Sequence, residues 1–121
     1  LDIALGLKKL KKNGISLICL AGYMKILKSK FINKYNNKII NIHPSLLPKY
    51  KGLDTFRRVL KSKEKVTGCT VHYVNNKIDS GQIILKKKIY IKENDTETSL
   101  KTRVQQAEYK TYAEAIIKIF R

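Results

Sequence analysis

Apolar positions recur along this chain in two rhythms, and the switches between them mark out its elements. Ile3, Leu7 and Leu10 fall at helical spacing, followed by a cluster of lysines and then Asn13-Gly14. Cations in a last turn ahead of a glycine predict a helix C-terminus over residues 1–12. Residues 15–21 form a short, almost unbroken apolar run ended by Gly22, the mark of a strand buried on both faces. Tyr23 to Leu27 reads as a loop, and Ser29 as the cap of a short helix through Tyr35. A second buried strand, Ile39 to His43, follows the Asn36-Asn37 break.

Beyond Gly52 the helical period returns. Asp54 or Thr55 is placed to cap a helix carrying Phe56, Val59 and Leu60 and ending near Lys63. Val66 to Val74 is rich in β-branched and aromatic residues and predicts a strand, with a turn at Asn75-Asn76. Gln82 to Ile91 alternates, with Ile83, Leu85, Ile89 and Ile91 on one face and Lys86, Lys88 and Tyr90 on the other. Finally Asp95 or Thr96 caps a long helix from Glu97 to Phe120, whose inward stripe is Leu100, Val104, Ala107, Thr111, Ala115 and Ile119. Helices alternating with strands predict an α/β sandwich with a mixed sheet.

The candidate chemistry gathers where the second strand ends, in Asn41-Ile42-His43-Pro44-Ser45-Leu46-Leu47-Pro48-Lys49-Tyr50-Lys51-Gly52. Residues two apart on a strand share a face, so Asn41 and His43 present an amide and an imidazole to one point. Pro44 holds His43 extended, and Pro48 and Gly52 shape an irregular loop. Asp79, in the loop Ile78-Asp79-Ser80-Gly81, can orient and charge the imidazole. Asn41, His43 and Asp79 together suit an amine attacking a carbonyl carbon, with two donors for the oxyanion and a carboxylate for the proton. An Asn-x-His in a loop is also common as plain architecture, so the residues alone leave both readings open. Ser45 lacks the Gly-x-Ser-x-Gly surroundings of a nucleophile. His72 reads as a satisfied, partly buried strand residue, and Glu108 as a solvated position on the long helix.

Composition narrows the classes. The 121 residues make one domain, with 43% apolar residues for its core. A net charge of +17 invites a nucleic-acid reading, but it comes from 22 Lys against 4 Arg, and bidentate recognition favours Arg. Lys, Asn and Ile are all abundant, so the surplus reads as compositional bias that also attracts small anions. A basic RNA-binding module stands as the alternative from outside enzymology. Cys19 and Cys69 fall in strand-like runs and read as buried free thiols in a reduced, cytoplasmic setting. No metal is expected, because Cys69 and His72 are three apart in a strand and face opposite sides. No run of eighteen apolar residues suggests a membrane span.

Three segments carry a resemblance: Leu20 to Leu27, Asn41 to Gly52, and Gly68 to Val74 with Ile78-Asp79-Ser80-Gly81. In this order they closely resemble the glycinamide ribonucleotide formyltransferase family. The resemblance implies a Rossmann-like three-layer sandwich with a mostly parallel mixed sheet, the formyltransferase fold. It also implies that residues 1–121 are a single catalytic domain lacking the family's N-terminal part, including the loop that holds the nucleotide phosphate. The implied reaction moves the formyl group of 10-formyltetrahydrofolate, a co-substrate, to the amine of glycinamide ribonucleotide in purine biosynthesis. By the same resemblance Asn41 and His43 bind the oxyanion and Asp79 tunes the His. Met24, Lys25, Ile26 and Leu27 would line the folate pocket, with Asn41 and the loop Asn75, Asn76, Lys77, Ile78 and Asp79 closing over it. Gln105, Gln106, Ala107 and Glu108 would face the ribonucleotide. Methionyl-tRNA formyltransferase, which resembles the chain in the segment Asn41 to Pro48, and a formyltetrahydrofolate hydrolase, with water replacing the amine, are the alternatives inside the superfamily.

Overall fold

A computed structural model describes residues 17–20, 32, 34–35 and 38–121. The helix expected over residues 1–12, the loop from Tyr23 to Leu27 and most of the Ser29 helix lie outside them. Among the described residues six elements follow in order: β1 Ile18–Leu20, β2 Ile39–His43, α1 Thr55–Lys61, β3 Val66–Tyr73, β4 Ile83–Tyr90 and α2 Glu97–Ile119. The strands form one mixed sheet in the order β1-β2-β3-β4.

β1 and β2 run parallel, whereas β2 with β3 and β3 with β4 run antiparallel. The α/β class and the mixed sheet are as expected. Within the described residues, however, one pairing of three is parallel. The short loop from β3 to β4 makes that pair antiparallel, and β2 and β3 are antiparallel as well although α1 lies between them. Cys19, expected to be buried, is exposed, because β1 lies at the edge of the described sheet with its neighbours only half-buried. Cys69 is fully buried, and burial pushes its thiol up to about 11.

One face of the sheet carries the main core. Ile40 and Ile42 of β2 and Cys69 and Val71 of β3 pack with Val59 of α1 and Leu100, Val104 and Ala115 of α2. Each Ile, Val or Leu side chain among them, taken fully out of water, contributes roughly 1.5–3 kcal/mol. Ile39, pointing the other way, packs with Tyr35, Ile18, Leu20 and Val74. The stripe expected on α2 is present, with Leu100, Val104, Thr111 and Ala115 buried. Thr96 caps the helix, accepting from the Ser99 N–H while the Ser99 hydroxyl accepts from the Thr96 N–H. At α1 the expected side-chain cap is not made. Asp54 sits in the left-handed region with φ 56° and spends its carboxylate on Arg57 instead.

Alternation along β4 is broken once. Val71 pairs with Leu85 but His72 pairs with Ile83, so Ile84 is an extra residue and the strand bulges there. A one-residue insertion shifts the strand beyond it to the other face. Ile83 therefore parts from Leu85 and stays exposed, while Ile84 packs on the core.

Candidate active site

The site is assembled at the carboxyl end of β2, where alternation sends Ile40 and Ile42 into the core and Asn41 and His43 to the opposite face. β3 completes that face: Asn41 lies directly opposite His72, and His43 opposite Thr70. The loop after His43 is tied down by Thr70, whose hydroxyl donates to the Ser45 carbonyl at 2.7 Å and accepts from the Leu47 N–H at 3.1 Å. Ser45 is fully buried and donates to the Lys49 carbonyl at 2.6 Å. Its hydroxyl is a loop fastener, in keeping with its exclusion as a nucleophile.

Tyr50 adopts a positive φ of 57°, which turns its carbonyl onto His43. The His43 Nε2 lies 2.7 Å from that carbonyl, which can only accept, so Nε2 carries a proton. Arg58 of α1 braces this turn, stacking over the Tyr50 ring at 5.7 Å and donating to the Lys51 and Leu53 carbonyls. The other ring nitrogen, Nδ1, faces Asp79 Oδ2 at 3.4 Å.

Asp79 reaches the site from the β3–β4 loop with a positive φ of 47°. Only 8% of its side chain is exposed, and a carboxylate so enclosed requires donors. The Gly52 N–H supplies one, donating to Oδ2 at 2.7 Å. The loop is shaped by an Asn75 side chain that accepts from the Lys77 N–H at 2.9 Å, and it is tied across to Lys51, which donates to Ser80. Gly81 returns the chain so close to β3 that a methyl group there would overlap the Tyr73 carbonyl.

These groups open on a cavity of about 760 Å³, within the usual range for small-molecule sites. Of the expected catalytic residues, Asn41, His43 and Asp79 all line it. Of the expected folate loop, Asn75, Lys77, Ile78 and Asp79 line it and Asn76 does not. Met24, Lys25, Ile26 and Leu27 lie outside the described residues. On α2, Gln105 and Glu108 face the cavity, one helical turn apart, while Gln106 and Ala107 do not. Glu108, read from sequence as solvated, is half-buried, and burial pushes its carboxyl up to about 7.

Three participants carry no signal in the sequence that marks them for the site. Gly52 and Tyr50 act through backbone groups, which no side-chain pattern announces. His72 is the third: it is 2% exposed, more buried than expected, and its Nε2 has no hydrogen-bond partner. The Asn41 Oδ1 beside it is likewise buried without one. Only the β2–β3 register brings these two together.

Fold and site define an α/β protein with a polar small-molecule cavity at the carboxyl ends of its parallel strands, the usual ligand position in such sheets. The sequence matches the formyl transferase family over residues 6–116, and the chain belongs to that family. It is 43% identical to phosphoribosylglycinamide formyltransferase of Haemophilus influenzae, over 99% of this chain and 56% of that protein. It is 45% identical to the human trifunctional purine biosynthetic protein adenosine-3, over 88% of this chain and 11% of that one. Among solved structures, phosphoribosylglycinamide formyltransferase from Anaplasma phagocytophilum superposes with a TM-score of 0.92 at 41% identity, covering 96% of this chain and 57% of that one. The chain thus spans little more than half the length of these bacterial relatives.

Proposed function

We propose that this chain carries the transfer chemistry of a glycinamide ribonucleotide formyltransferase, acting in the cytoplasm in purine biosynthesis. The formyl donor is 10-formyltetrahydrofolate and the acceptor is the amine of glycinamide ribonucleotide. The observation that carries the reading is the meeting of Asn41, His43 and Asp79 at one cavity, with both His43 nitrogens directed at oxygen. The names of the relatives supply the substrates.

In this reading the amine nitrogen attacks the formyl carbon and the carbonyl electron pair moves onto oxygen. The Asn41 amide and a His43 ring carrying N–H on both nitrogens stabilise that oxyanion. A charged oxygen is a stronger acceptor than the neutral Tyr50 carbonyl, so the Nε2 proton changes partner as charge develops. Asp79 holds the ring through Nδ1 and passes the amine proton on. Collapse re-forms the carbonyl and expels N10 of the folate, which takes that proton. The Asn75 to Asp79 loop, with Met24 to Leu27, lines the folate side. Gln105 and Glu108 meet the ribose, with Gln106 and Ala107 behind them.

The test is formyl transfer by this chain and by a version extended to the length of its relatives, each with His43→Ala and Asn41→Ala variants. Loss of either oxyanion donor is expected to lower kcat by about 100-fold or more. A folded His43→Ala protein with a near-normal rate sinks the mechanism, and formate released without an amine acceptor identifies a hydrolase instead.

A further inference from the structure

Among the described residues, His72 is a buried titratable group facing this site that the formyl-transfer mechanism leaves unused. Its Nδ1 lies 3.0 Å from the Tyr73 carbonyl. A carbonyl only accepts, so Nδ1 bears the proton, and this contact fixes both ring orientation and tautomer. In the neutral ring Nε2 is then a bare acceptor. Burial disfavours the charged ring and lowers the His72 pKa, in agreement.

That acceptor faces a second one. The Asp79 Oδ1 lies 3.8 Å from Nε2, and the two side chains are 8% and 3% exposed respectively. Two acceptors at this separation do not bond each other, and an acceptor buried without a donor is costly. Among the described residues no donor reaches Nε2. A group placed about 2.9 Å from both atoms would see them at an angle of about 80°. Two hydrogens on one nitrogen meet that demand with each bond bent by only about 15°, well inside the usable range. A donor with a single hydrogen would satisfy one acceptor and leave the other bare, whereas water, with two, fits as an amine does and is what the amine displaces.

We propose that His72 Nε2 and Asp79 Oδ1 form the seat of the attacking amine nitrogen, each accepting one of its two N–H groups. An amine whose hydrogens are both turned to this seat has its lone pair on the opposite side, free for attack. Asp79 thereby links the nucleophile to His43 through its two oxygens, Oδ1 toward the amine and Oδ2 toward the ring. This assignment rests on the formyl-transfer reading, which supplies the amine.

The test uses the intact protein with His72→Leu and His72→Gln, the latter keeping an acceptor oxygen near the place of Nε2. Binding of glycinamide ribonucleotide alone is measured by equilibrium dialysis, so the seat is tested whether or not turnover occurs. His72→Leu is expected to weaken it about tenfold or more, while tetrahydrofolate binding stays within about twofold. His72→Gln is expected to restore most of the loss. In the transfer assay the wild type should prefer the primary amine over its N-methyl analogue, which has one N–H, and His72→Leu should narrow that preference. Unchanged ribonucleotide binding in His72→Leu, or a parallel loss of both ligands, overturns the seat. A wild type that binds the ribonucleotide through His72 yet forms no formylated product overturns the functional reading instead.

Discussion

Glu108 shows how a single side chain on a cavity wall couples to the stability of the fold. Burial alone raises its carboxyl to about 7 from an ordinary value of 4.5. Between these values the folded chain keeps a proton that the unfolded chain releases, so the native state binds more protons and stability falls as pH rises. The penalty is absent below about pH 4.5 and complete above about pH 7. Because the group is only half-buried, water screens part of it, and a loss of about 1–2 kcal/mol is expected. Urea unfolding at pH 5 and pH 7.5 should show this fall in the wild type and a flatter profile in Glu108→Gln. Equal pH dependence in the two proteins would mean that the carboxyl is better hydrated than its place suggests.

At the scale of elements, the start of α2 is fixed by one fork. Arg103 donates through Nη1 to Asp95 Oδ1, and through Nη2 to Asp95 Oδ2 at 2.7 Å and to the Tyr90 carbonyl at 2.8 Å. The guanidinium holds the Asp95 carboxyl far below the ordinary carboxylate range, and the pair joins the end of β4 to the second turn of α2. Lysine is a compact point charge and cannot reproduce the planar fork that meets both carboxylate oxygens and the carbonyl at once. Arg103→Lys is therefore expected to cost about 1–2 kcal/mol in thermal or urea unfolding, with α2 loosening first in hydrogen exchange. An unchanged Tm would show that the fork is geometric ornament. This contact also marks the limit of what the sequence reveals. Thr96 and the stripe of α2 are local signals, readable from spacing. β2 and its loop are legible because an apolar run ends in residues of rare type, one of two histidines and both prolines. The Arg103 fork, the bulge at Ile84 and the facing of Asn41 by His72 all depend on which strand lies beside which. Non-local pairing of that kind leaves no periodicity in the chain.

For the molecule as a whole, the question is what a charge of +17 does when the site itself is nearly balanced. The cavity wall includes Arg57, Lys77 and Lys101 against Asp54, Asp79, Glu97 and Glu108, and Arg57 is already paired with Asp54 at 3.0 Å. Among the described residues many further lysines lie outside it, as do the exposed Lys86, Lys87 and Lys88 on β4. Charges at such range act through the solvent field, which salt screens over about 10 Å at 0.1 M. They raise the arrival rate of an anion without touching the reacting atoms. For a phosphorylated amine, kcat/KM should thus fall several-fold between about 20 and 200 mM salt while kcat holds steady. The same amine without its phosphate should show almost no salt dependence, and steady-state assays on the two acceptors separate the cases. A binder of polynucleotides behaves differently: its affinity falls steeply with salt and survives loss of Asn41 or His43. Salt sensitivity confined to kcat/KM of the charged acceptor would make the lysine surface an antenna for the site. Salt-sensitive RNA binding indifferent to both residues would make the surface itself the functional element.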